Sequence, residues 1–191
     1  MRLTPIESPT SPILWLAYKL FQRKIGTVIM PLKTIYARKP AMLPLLDKIS
    51  RYQNRPLTVN PSISLLIQIY GSVLNGCDFC QDIAMASVVQ QKLGQDKFLH
   101  LTDWQLHLAD YEVDEQAVLA FVLDYHQNRS VSDETYQNLL QYFSESQIID
   151  IVAVNAIEQF YNAMNKPFNI LSDGLADIQR KQLSAEQRLP A

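Results

Sequence analysis

The residues with the most chemistry in this sequence are Cys77 and Cys80, in the run Cys77-Asp78-Phe79-Cys80. They are the two cysteines of a 191-residue chain. Standing one helical turn apart at an expected helix start, they place both sulfurs on one side. Free backbone N–H groups and the positive helix end favour a thiolate there. The thiolate is the nucleophile of thiol chemistry, and CxxC pairs at helix starts have lowered thiol pKa values. A reversible dithiol is therefore the leading reading, and helix-start logic alone makes Cys77 the attacking sulfur. Two readings stand beside it, half of a zinc site and two inert buried thiols. A zinc site needs two more ligands, and His100, His107 and His126 are not in HxxxH-like spacing. No metal or other cofactor is expected. A thioredoxin-type site would need a βαβ context, which the flanking residues lack.

The elements that must position this pair read as helices. Asn60 is a good N-cap with Pro61 at the first helical position. The helix that follows repeats Ile63, Leu66, Ile67, Tyr70 and Leu74 at three- and four-residue spacing. Asn75-Gly76 closes it, glycine being the usual residue just past a helix end. The cysteine helix then runs on to Gly94. Upstream, helices are expected over 13–22 and 41–51, the second with Pro44 in its first turn. Downstream, 97–101 and 104–108 are short and ambiguous. Further helices are expected from Asp114-Glu115, from Ser132 to about Tyr142, and over 145–165, opened by the capping box Ser144-x-x-Gln147 and stopped by Pro167. A last helix is expected over 172–183, with 184–191 frayed. His126 falls at a helix end, where a cation suits the dipole. No alternating strand run appears. The expectation is an all-α helical bundle, with residues 1–40 as a packing arm and 41–185 as the helical domain.

Composition agrees and excludes several classes. Five glycines, far below the usual ~7%, argue against a many-turned β fold, a P-loop and a dinucleotide-binding glycine motif. A net charge of −2 removes the bulk electrostatic case for nucleic-acid binding. Charged residues are 19% and hydrophobic ones 48%, so a homo-oligomer with apolar interfaces is expected. The apolar run Ile13–Leu20 is eight residues long, far from the ~20 that span a membrane. It reads as a packing arm or, with Trp15 and nearby basic residues, as an interfacial membrane helix. A cytoplasmic location is expected, where a close cysteine pair is redox-active or metal-binding rather than a structural disulfide.

The segment SLLIQIYGSVLNGCDFCQDIAMA resembles the signature helix pair of the carboxymuconolactone decarboxylase-like superfamily, in particular its alkylhydroperoxidase D branch. Its S-x-x-N-G-C-x-x-C pattern stands here as Ser72, Asn75, Gly76, Cys77 and Cys80. The downstream order of a helix, a Ser-Asp-Glu start, an FSE start and a long helix ending in N-x-x-N is also similar, so the resemblance spans roughly 56–170. It implies an all-α, oligomeric fold (a trimer or hexamer), peroxide or disulfide substrates and an external thiol reductant. It implies that Cys80 attacks a peroxide to give a sulfenic acid, which Cys77 resolves to a disulfide. The implied function is a thiol-dependent oxidoreductase, a peroxidase or disulfide reductase of antioxidant defence. The alternative is a non-catalytic redox-sensing or assembly module of the same fold.

The sequence departs from that pattern at its proton relay. The histidine expected four residues after the second cysteine is Ala84, and the glutamate expected in the preceding helix falls near Ser64 or Leu65. General acid–base help is worth about 10²–10⁴-fold, so its source matters. Candidate supporting groups are Gln68, Tyr70, Ser72, Asp78 and Asp82. Tyr70 could hydrogen-bond a sulfur or a peroxide oxygen, or pack in the core. Ser72 could back-bond within its helix or donate near the thiols. Asp78 suits capping, and Asp82 points away from Cys80 by helical geometry.

Overall fold

In the computed structural model, which describes residues 1–186, the chain is helical throughout, with no strand among the described residues. The helices are α1 (Pro12–Ile25), α2 (Leu43–Gln53), α3 (Pro61–Asn75), α4 (Asp78–Gln90), α5 (Asp96–Leu99), α6 (Val113–Asn128), α7 (Asp133–Leu140), α8 (Glu145–Asn165) and α9 (Leu175–Glu186). A π-helical turn (Leu32–Tyr36) follows α1, and two 3₁₀ turns (Leu101–Leu106 and Leu108–Asp110) link α5 to α6.

Local chemistry sets the boundaries. Asn60 accepts from the Ser62 N–H, Ser132 from the Thr135 N–H, and Ser144 with Gln147 makes both bonds of a capping box. A second capping box, Glu112 with Glu115, opens α6. α1 runs to Ile25 rather than residue 22, until Gly26 turns left-handed. α4 ends at Gln90, short of Gly94, because Lys92 adopts φ +55°. The Lys92 and Leu93 N–H groups then bond back to the Val89 and Val88 carbonyls, a Schellman closure without glycine. α9 opens at Leu175, since residues 172–174 are used to cap it. Ser184, expected to fray, is still helical; the same expectation for 187–191 lies outside the described residues.

The apolar interior forms two clusters. One holds the inner faces of α3, α6 and α8 with Leu101, Trp104 and Tyr111 of the connector. The other gathers Leu14 and Tyr18 of α1, residues 29–36, and Leu175 around Cys77, Phe79 and Cys80. α4 lies between them, giving Ala84 and Val88 to the first and Phe79, Cys80 and Ala86 to the second. α3 packs on α4, α6 and α8, and α9 packs on α4. Asp150 of α8 ties down the lead into α3 by accepting from the Thr58 N–H and hydroxyl and from Arg55.

Candidate active site

The turn between α3 and α4 presents the cysteines. Gly76 has φ +61°, a left-handed conformation that favours glycine. The Gly76 N–H bonds to the Val73 carbonyl and the Cys77 N–H to the Ser72 carbonyl, the two bonds of a Schellman motif. The Lys166 ammonium bonds the Asn75 carbonyl, placing a cation at the negative end of α3. Cys77 is thereby fixed as the N-cap of α4, and Cys80 sits in its first turn. The two are joined as a disulfide with Cα atoms 5.3 Å apart, a separation that lets the pair close without moving the backbone. Both are buried, but only Cys80 borders the large cavity, of about 1870 Å³, that runs between α1, α2, α3, α4 and α8.

Across that cavity, α8 contributes a polar stripe. Asn155, Glu158, Asn162 and Asn165 are all buried and recur at intervals of three, four and three, one face of a helix. Asn165 donates its Nδ2–H to Cys80 Sγ at 3.4 Å. Glu158, Tyr161 and Asn165 line the same cavity as Cys80. Burial pushes the Glu158 carboxyl up to about 7, against the opposing hydrogen bonds from Ser72 and Asn162. The Ser72 hydroxyl lies 2.7 Å from both the Gln68 carbonyl and the Glu158 carboxyl. It has one proton to give, so when it donates to Gln68 the second contact requires a protonated Glu158 as donor. That agrees with the raised pKa. Burial, with Glu158 adding to it, raises the Tyr161 phenol to about 12, so this hydroxyl remains a donor. The Oδ1 atoms of Asn155, Asn162 and Asn165 have no hydrogen-bond partner among the described residues.

The candidates from the sequence separate clearly. Ser72 joins the site through Glu158. Gln68 borders the cavity, with its amide turned back on Ser64. Tyr70 goes elsewhere: its hydroxyl accepts from Trp104 Nε1 at 3.2 Å in the first cluster. Asp78 is exposed in the first turn of α4. Asp82 is a tertiary cap, accepting from the Ser172 hydroxyl and from the Asp173, Leu175 and Ala176 N–H groups at the start of α9. The relay positions, Ala84, Ser64 and Leu65, all border the cavity. His126 stands in the last turn of α6, as expected. Burial lowers its pKa first, then Arg129 and Lys166. The group that the sequence reading missed is Glu158. Its signal was the three–four–three polar spacing along one face of α8.

This arrangement, a CxxC helix pair packed against a long helix in an all-α bundle, is the alkylhydroperoxidase D-like fold, and solved structures bear that out. No family model matches the sequence, and no curated protein matches it. The debrominase Bmp8, solved in complex with 2,3,4-tribromopyrrole, superposes with a TM-score of 0.76 at 17% identity, over 96% of this chain and 97% of its own. A peroxidase-related protein from Ralstonia eutropha JMP134, described as an alkylhydroperoxidase AhpD core, gives 0.77 at 17%, over 93% and 95%. A protein from Agrobacterium tumefaciens, described as a putative antioxidant defence protein AhpD, gives 0.67 at 20%, over 72% and 95%. At these identities the likeness is one of fold.

Proposed function

We propose that the chain is a thiol-dependent oxidoreductase that reduces peroxides through Cys80 and Cys77, with Glu158 as its proton-transfer group. The observation that carries this reading is the buried carboxyl, poised near neutrality, bordering the same cavity as Cys80. It supplies from α8 the acid–base group that Ala84 and Ser64 or Leu65 lack. Cys80 is the attacking sulfur because it, and not Cys77, borders the cavity. The Asn165 N–H favours its thiolate, since a hydrogen bond to a charged form stabilises that form.

Glu158 accepts the Cys80 proton, directly or through one water. The thiolate attacks the hydroxyl-bearing oxygen of the hydroperoxide, the S–O bond forms and the O–O bond breaks. The leaving alkoxide takes the proton from Glu158 and departs as an alcohol. Cys77 then attacks the Cys80 sulfenic acid, expelling water and forming the disulfide. The unpartnered Asn165 Oδ1 and the Tyr161 hydroxyl are suited to hold the peroxide oxygens. An external dithiol returns the pair to its reduced state.

The test is peroxide consumption driven by a dithiol reductant. Cys80→Ser should abolish it. Cys77→Ser should stop after one oxidation and leave a sulfenic acid that dimedone traps. Full activity in Cys80→Ser would sink the assignment. A size change on oxidation without turnover would favour a redox-sensing module instead. A second reading, thiol-dependent debromination, is favoured by the reach of the Bmp8 superposition over 96% of this chain; a parallel assay with 2,3,4-tribromopyrrole separates the two. The exposed Ile13, Trp15, Leu16 and Leu20 of α1 support the homo-oligomer, which sedimentation would measure. No described helix is long and apolar enough to cross a membrane, which fits the proposed cytoplasmic role in antioxidant defence.

A further inference from the structure

The connector between α5 and α6 divides its side chains between inside and outside. Leu101, Trp104 and Tyr111 are buried and anchor it. Trp104 is held by its bond to Tyr70, and the Tyr111 hydroxyl donates to the Lys97 carbonyl at 2.6 Å. His100, just before Leu101, is followed by Asp103, His107 and Asp110 at a three–four–three spacing, the histidines half-buried and the two aspartates exposed. The His100 and His107 rings stack with centroids 4.1 Å apart and planes 22° apart. One ligand atom from each of His100, Asp103 and His107 lies within 4.8 Å of the others. His107 turns Nε2 toward Asp103 Oδ2 at 3.6 Å and Nδ1 toward Asp110 Oδ2 at 3.8 Å. Both separations exceed a hydrogen bond.

These dimensions are compatible with a metal ion. A tetrahedral zinc ion with bonds of about 2.0–2.1 Å holds its ligand atoms roughly 3.3 Å apart. The His107–Asp103 pair is already within a few tenths of an ångström of that spacing, and side-chain rotation closes the rest. Two imidazoles and a carboxylate suit zinc, copper or nickel, whereas magnesium and calcium take oxygen ligands. A ligating imidazole commonly directs its other nitrogen at a carboxylate, which is where Asp110 stands.

We propose that His100, Asp103 and His107 bind a divalent ion of the zinc type, with Asp110 orienting His107. Three protein ligands leave a fourth position for water. The ion clasps His100 and His107 together across the turn 101–106, apart from the cavity that Cys80 borders. The sequence spacing hides this site because the connector is not a regular α-helix. Its seven-residue His–His interval becomes a contact only through the 3₁₀ turns.

The test uses the full chain, chelator-treated, with both cysteines alkylated so that thiols cannot bind metal. Zinc chloride is titrated by calorimetry, and cobalt is then added to read the ligand field. The expected result is one saturable zinc per chain, unaffected by millimolar magnesium. Affinity should fall at least tenfold in His100→Ala and in His107→Ala. Asp110→Asn should weaken it about 10-fold, the low end for loss of an orienting partner. All three variants alter groups outside the buried core and should keep the metal-free circular dichroism spectrum. Absence of saturable zinc binding overturns the proposal. So does wild-type affinity in the His100→Ala/His107→Ala double variant.

Discussion

Replacing Glu158 with glutamine removes an ionisable group and little else. The amide keeps the shape, and its oxygen still accepts from Asn162. Burial holds the native carboxyl at about 7, against an ordinary 4.5. At roughly 1.4 kcal/mol per pH unit, that displacement corresponds to about 3 kcal/mol. The folded state binds this proton more tightly than the unfolded chain does. The stability it contributes is therefore complete below about pH 4.5 and is lost as pH rises through about 7. Glu158→Gln should lack that decline. Relative to the variant, the native protein should lose about 3 kcal/mol between acid and pH 8, or ~6–12 °C of melting temperature for a chain of this size. Activity should move the other way. Loss of the acid–base group should slow the oxidation of Cys80 by about 10²–10⁴-fold. Single-turnover oxidation by an organic hydroperoxide, followed from about pH 5 to 9 beside thermal melts, reads both quantities. A variant within about threefold of the native rate would refute the reasoning. So would an inflection near pH 7 that survives the substitution, or parallel stability curves.

Asn165→Leu removes the Nδ2–Sγ hydrogen bond at nearly constant volume; at about 1 kcal/mol, alkylation of reduced Cys80 by iodoacetamide should slow about fivefold. Asp82→Ala should cost about 1–2 kcal/mol by uncapping α9, seen as a lower urea midpoint and easier proteolysis near residue 175, with turnover per folded molecule unchanged. Gly76→Ala meets only the Lys166 Nζ, at 3.8 Å, so its cost is the backbone strain of φ +61°, about 1–2 kcal/mol, measurable by thermal denaturation.

What could be read from the sequence was local. The caps at Asn60, Ser132 and Ser144, the closure at Gly76 and the turn that carries Cys77 and Cys80 all depend on residues within a few positions of each other. The all-α class followed from them. What could not be read depended on distant partners. Tyr70 has helical spacing compatible with a role near the thiols, but Trp104, in a connector without regular periodicity, takes its hydroxyl. Asp82, a candidate supporting group by its nearness to Cys80 in sequence, is instead the cap on which α9 starts, more than ninety residues away. Glu158 lies within a helix that the sequence predicts, α8. Ile149 and Val152 are exposed while Asn155 and Glu158 are buried, so hydrophobicity alone misplaces the inner face of that helix.

The carboxyl proposed to serve the cysteines is carried by a helix some eighty residues further along the chain. The α3–α4 turn closes through its own neighbours, Ser72 to Cys77. Glu158 acquires its raised pKa only when α8 docks on α3 and shuts out water. A chain still folding therefore holds the dithiol without its proton-transfer group. On the proposed mechanism, Cys80 reaches its full reactivity toward peroxide only once the bundle is complete.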